Sequence, residues 1–162
     1  LGCTADLQRV HTPDLLEPDG FARRRLPRRM TAGRNLPITT KDSWKLYSSL
    51  HPLSSLTDYE RTTVASAPDP RAKDQFILVD LGVRCTIREI TQVHPENSAY
   101  PHRFRIDVAD DHNFPYYLVH VGPGSADASI ALLTRATTCR FLRITLLEPT
   151  DEPWTVAELE IE

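Results

Sequence analysis

Glycine and cysteine are scarce in this chain of 162 residues, with six and three copies. Six glycines make no phosphate-cradling loop, and neither a G-x-S-x-G nor an H-E-x-x-H pattern occurs. The common signatures of phosphoryl transfer, serine hydrolysis and zinc peptidase chemistry are therefore missing. None of Cys3, Cys85 and Cys139 belongs to a C-x-x-C pair or stands near a histidine at zinc spacing, which removes thiolate-metal and haem-attachment readings. No apolar run approaches the length that crosses a bilayer. A net charge of -3 gives no general attraction for nucleic acid. The local cluster Arg23, Arg24, Arg25, Arg28 and Arg29 reads as a solvated loop. Asp110 and Asp111 are the nearest thing to a catalytic acid pair, but neighbours in a strand point to opposite faces, so they suit a turn.

What is present describes a globular domain. Apolar residues at 40% with 25% charged residues allow a real core. At this length folding removes roughly 70% of the unfolded chain's surface from water. Thirteen prolines against six glycines, with no long helical stripe, point to many short elements joined by stiff loops, and so to a mostly β fold. The chain starts at Leu1 without an initiator methionine or a charged-then-apolar leader, which reads as a piece of a longer polypeptide. Leu1-Gly2-Cys3 matches the tail of a bacterial lipoprotein signal, whose cysteine becomes lipidated; three residues also match by chance.

Phe76-Ile77-Leu78-Val79-Asp80-Leu81-Gly82 is the organising stretch, an apolar run closed by glycine that predicts a strand buried on both faces. Asp80 must accept hydrogen bonds from backbone donors or face water at the strand's end, and the reading taken here is water. Before it, residues 1–34 form an irregular arm or linker, and residues 35–162 form the domain. Residues 58–75 form a long connection. After it, Ile87, Ile90 and Val93 mark a strand that His94-Pro95-Glu96-Asn97 ends. Phe104, Ile106 and Val108 alternate with Arg103, Arg105 and Asp107; Asp110 to Asn113 turns the chain; Tyr117, Val119 and Val121 return it. Phe141 to Leu147 and Ala157 to Glu162 alternate in the same way. Such a series favours an antiparallel β-sandwich or jelly roll. Cys85 and Cys139 each begin a candidate strand, so a bridge between them and a pair of buried free thiols both fit.

The order of these pieces resembles the coagulation factor 5/8 type C (discoidin) family, whose bacterial relatives include family 32 carbohydrate-binding modules. The matching residues are Leu56-Thr57-Asp58 with Thr63, Gln75 to Gly82, Ile87 to Ile90, Phe104 to Asp111, Arg140 to Ile144 and Val156 to Ile161. The resemblance implies an all-β, galactose-binding-like jelly roll that binds ligands through loops at one end and carries no catalytic residues. It further implies a structural calcium held by Asp58, Thr63 and Glu158, hard oxygen donors of the kind calcium takes. The family's glycine after the aspartate is Tyr59 here, and Glu60 and Ala65 replace its next aspartate and its tryptophan. Without calcium, Glu158, Glu160 and Glu162 are simply the solvated side of the last strand.

Sugar-binding relatives set an aromatic ring against the apolar face of a pyranose and hydrogen-bond its hydroxyls. The candidate platforms are Trp44, Tyr100 and Trp154, and the candidate polar partners are His51, His94, Asn97 and His102, all in polar or proline-containing loops. Core packing is the alternative for both tryptophans. The family's sugar-binding arginine is due after Val93, where His94-Pro95-Glu96-Asn97 stands instead. Two functions follow. One is a non-catalytic glycan-recognition module of a larger extracellular or surface protein, binding a glycan or surface ligand. The other is a protein-protein interaction or packing domain that meets other domains of the same polypeptide and has no sugar site.

Overall fold

The computed structural model describes residues 36–70, 72, 74–113, 115–148 and 151–162. The arginine cluster, Cys3 and the boundary expected near residue 34 lie outside them. Eight strands follow in order: β1 (Lys45–Ser48), β2 (Ala65–Ser66), β3 (Phe76–Val93), β4 (Arg103–Ala109), β5 (Tyr117–Pro123), β6 (Ala128–Leu146), β7 (Thr155–Val156) and β8 (Glu158–Ile161). Two short 3-10 turns, Lys41–Ser43 and Leu53–Leu56, are the only helical elements among the described residues. None is long and apolar enough to cross a membrane.

The fold is an all-β antiparallel sandwich, as the alternation predicts. Two long strands serve both of its layers. The first part of β3 pairs with β1 and with the end of β6, which in turn pairs with β4 and through it β5. The second part of β3 pairs with β8 and with the start of β6. Between these parts the β3–β6 register shifts, once between Asp80 and Cys85 and again between Ile87 and Glu89. Gly82 sits there with φ +79, a left-handed conformation that a side chain would strain. Breaks of this kind bend a strand, so one strand can change layers. The core between the layers collects Ile77, Val79, Leu81, Ile87, Ile90, Phe104, Ile106, Leu142, Ile144 and Leu159.

The organising stretch therefore continues through Gly82 instead of ending there, and its outer face is only partly buried. Ile77, Val79 and Leu81 turn inward, while Phe76 and Leu78 are half-buried on the outer face. Asp80 does not face water. It is 6% exposed, its carboxylate accepts both Arg140 Nε (2.7 Å) and Arg140 Nη2 (2.9 Å), and Oδ1 also accepts the Gly82 N–H (2.8 Å). A bidentate guanidinium and a backbone donor together compensate the lost hydration. They also hold its carboxyl below the ordinary carboxylate value, with the Arg140 bonds as the largest cause. Cys85 and Cys139 face each other in register across β3 and β6 as buried free thiols, and burial pushes the Cys139 thiol up to about 12.

Candidate functional site

Most of the loop residues singled out in the sequence meet at one end of the sandwich. Here β3 ends, β4 begins, β5 ends and β6 both begins and ends. Three rings stack along the 94–102 loop: His94 and Tyr100 have centroids 6.3 Å apart, and Tyr100 and His102 meet edge to face at 5.9 Å. Asn97 stands exposed at the tip of the same loop with φ 57, a backbone state asparagine tolerates. His51 joins the end indirectly. Its backbone bridges to Ser66, whose hydroxyl bonds Thr155, whose carbonyl bonds His94.

Three of the candidates are structural. Trp154 is 0% exposed, in the core, with its carbonyl accepting the Ala67 N–H at 3.0 Å. Trp44 is 9% exposed, packs in the same core and donates Nε1–H to the Thr39 carbonyl at 3.1 Å. Neither ring can act as a platform for a sugar. Their proline and polar neighbours suggested exposure, but both rings turn into the core cluster, where the Thr39 carbonyl takes the Trp44 indole N–H. His94 is only 4% exposed. A carbonyl can only accept, so Nδ1 carries the proton and donates it to the Thr155 carbonyl (2.8 Å), and Nε2 accepts from the Ser129 hydroxyl (2.8 Å). Both ring nitrogens are thereby committed within the fold. Burial holds the imidazole below its ordinary value, against the opposing pull of the Thr155 carbonyl.

What remains open beside this corner is a groove of about 360 Å³ lined by His102, Arg103, Val121, Gly122, Pro123 and Glu148. Its walls come from the start of β4, the end of β5 and the segment after β6. Two local features shape it. The β4–β5 register slips between Ile106 and Asp107, leaving Val119 as an extra residue on β5. Val119 stays against the core while Val121 is 41% exposed at the groove. Gly124 lies so close to the Pro101 carbonyl that a Cβ there would overlap it, and its N–H reaches the His102 carbonyl at 3.3 Å. Glycine is what lets the two rims approach. Arg103 and Glu148, each more than half exposed, form a loose ion pair at 3.8 Å, longer than a hydrogen bond, so the pair is solvated and leaves further donors and acceptors facing the groove. Sequence reasoning missed both. Arg103 was legible as the residue next to His102, at the solvent end of an alternating strand.

A second depression, of about 370 Å³, lies on the outer face of the sheet and is lined by Tyr47, Leu78, Asp80, His112, Arg140 and Phe141. Tyr47 is exposed and the Arg140 guanidinium lies 5.0 Å from the Phe141 ring centroid. Its central charges are already saturated by each other through the Asp80–Arg140 pair. Asp110 and Asp111 turn the β4–β5 hairpin: Asp110 pairs with Arg84 at 3.1 Å and Asp111 accepts the Asn113 N–H at 3.0 Å.

The residues given to calcium do not form a cage for it. Asp58 Oδ1 accepts the Glu60 N–H (2.9 Å) and Oδ2 accepts the Thr63 hydroxyl (2.6 Å). Glu158 is not on a solvated face; it is 2% exposed and its Oε1 is ion-paired with Lys41. No group of three or more His, Cys, Asp or Glu side chains suited to a metal occurs among the described residues. Calcium takes six to eight oxygens, and with Glu158 Oε1 paired to Lys41 and both Asp58 oxygens bonded within their loop, these side chains as they stand leave it few.

No family model matches the sequence, and no curated protein does. Solved structures do match the fold. A family 32 carbohydrate-binding module from Clostridium perfringens NanJ, in complex with galactose, is 15% identical, with a TM-score of 0.65 over 75% of this chain and 95% of its own. A Clostridium perfringens module in complex with GalNAc-β-1,3-galactose is 18% identical, with a TM-score of 0.64 over 75% of this chain and 96% of its own. Chitosan-binding module 2 from a Paenibacillus sp. IK-5 chitosanase/glucanase, in complex with chitotriose, is also 18% identical, with a TM-score of 0.63 over 72% and 94%. What this chain shares with them is the discoidin-type, galactose-binding-like sandwich.

Proposed function

We propose that this chain is a non-catalytic glycan-recognition module that takes carbohydrate into the groove at the loop end of its sandwich. The observation that carries the reading is the pairing of solvent-exposed polar groups with an apolar wall. Arg103, Glu148 and the His102 imidazole offer donors and acceptors to hydroxyls, while Val121 and Pro123 offer a surface to the C–H face of a sugar ring. The neighbours of the same fold bind galactose, GalNAc-galactose and chitotriose, which supports carbohydrate as the ligand class. In this reading the module belongs to a larger extracellular or surface protein, and any catalysis lies in another domain of that protein. A shallow groove binds weakly, near millimolar or about 4 kcal/mol, so repeated sites on the parent protein supply the avidity.

A second reading rests on Ile130 and Leu132, which are 54% and 67% exposed along the first half of β6 and suit packing against a neighbouring domain. A glycan array with galactosyl, N-acetylgalactosaminyl and chito-oligosaccharide ligands, followed by titration, separates the two. We expect wild-type binding that weakens roughly fivefold in Arg103→Ala, the loss of about one hydrogen bond to ligand. Binding by no glycan overturns the function, and unchanged binding in Arg103→Ala overturns the site.

A further inference from the structure

Asp58, Thr63 and Glu158 are the residues that the family resemblance assigns to a structural calcium, and a lysine reaches in among them. We propose that the Lys41 ammonium stands in for that calcium as a cation built into the chain, tying the 41–43 turn and the 58–63 loop to the last strand. Lys41 begins the first 3-10 turn, and its Nζ pairs with Glu158 Oε1 on β8. The two side chains are 14% and 3% exposed, so this is a nearly dry ion pair and not a surface contact. The same Nζ lies 4.9 Å from the centroid of the Tyr59 ring, in cation–π range. One ammonium thus touches the last strand and the aspartate loop at once, as a bridging metal would.

The Asp58 loop is arranged to suit. Tyr59 has φ 65 at the position where the family keeps glycine, so the loop retains a left-handed turn while placing a ring over the lysine. Asp58 closes the loop on itself through Thr63 and the Glu60 N–H. These bonds, first that from Thr63, hold its carboxyl below the ordinary carboxylate value, and the Lys41 charge adds to the effect. A calcium entering here would meet an ammonium already on Glu158 and two Asp58 oxygens already bonded. It would have to expel the lysine first. Glu158 Oε2 is buried without a partner among the described residues, so removing Lys41 leaves this carboxylate with no compensating charge.

Thermal unfolding of the purified chain, with excess calcium and with chelator, tests this without reference to any sugar. Wild type should melt at the same temperature in both. Lys41→Met should melt lower by roughly 6–12 °C, the usual consequence of orphaning a buried charge in a domain of this size, and calcium should return part of the loss. Glu158→Gln should lose stability that calcium does not return, because the carboxylate it would bind is gone. Calorimetric titration of wild type with calcium, which needs no variant to fold, should give no heat of binding. Calcium that stabilises or binds wild type overturns the proposal. A neutral Lys41→Met, or one whose loss calcium leaves untouched, overturns it as well, since the lysine would then be unimportant or merely an ion-pair partner.

Discussion

Two parts of the same loop end, made from the same kinds of residue, have opposite roles. At the closed corner, Trp154 and His94 are buried: a core surrounds the indole, whose N–H finds no partner among the described residues, and a carbonyl and a hydroxyl take both nitrogens of the imidazole. At the open groove a few residues away, His102 and Arg103 keep their polar atoms toward solvent, and Val121 lines the wall beside them. Tyr100 stands between, with one histidine of each kind against its ring. An aromatic or a histidine in a proline-containing loop is thus no indicator of ligand contact. What separates the two is whether another segment of chain covers them.

That contrast is sharpest in stability. Trp154→Ala should cost about 3–5 kcal/mol, as for other fully buried large aromatics, because the cavity cannot collapse between two sheets. Chemical denaturation measures it, and a loss under 1 kcal/mol (about a third of the lower bound) would place the indole outside the core. The next effect is a pH dependence belonging to His94. Its folded value is lowered by burial, so the unfolded chain binds the proton more readily; its contribution to stability is complete above 6.5 and is lost as pH falls from 6.5 toward the lowered folded value. His94→Asn should therefore flatten the stability profile just below 6.5. An unaltered slope would show that the imidazole is not held neutral by the fold. The smallest effect should be His102→Ala, an exposed position, with stability within about 0.5 kcal/mol of wild type and only glycan binding reduced. A large stability loss there would erase the distinction between corner and groove.

The strands that alternate were legible because the pleat has a period of two. Phe104, Ile106 and Val108 are buried beside exposed Arg103 and Arg105, and Leu159 and Ile161 are buried on β8, as read, but Asp107, read on the polar face with the two arginines, is buried at 6% exposure. The first half of β6 was not legible. Ile130 and Leu132 face outward while Ala131 and Leu133 face inward, so both faces are apolar and no alternation exists to read. Asp80 and Glu158 were misread for a related reason. Their partners, Arg140 and Lys41, stand 60 and 117 residues away in the chain, and no local window reports a charge that only folding brings near. The loop end was recognisable as an end, through its loops and rings. Its open surface was not, because Arg103 and Val121 owe their placement to a strand's first residue and to an extra residue in the β4–β5 register.

The central claim is that ligand meets the loop end and not the outer sheet face. Titration of isotopically labelled chain with galactose and with chitotriose, followed by amide chemical shifts, tests it residue by residue. The account predicts shifts concentrated at His102, Arg103, Gly122 and Glu148, with Tyr47, His112 and Arg140 unmoved. Shifts gathered instead around Tyr47 and Arg140, or none with either sugar, would contradict it.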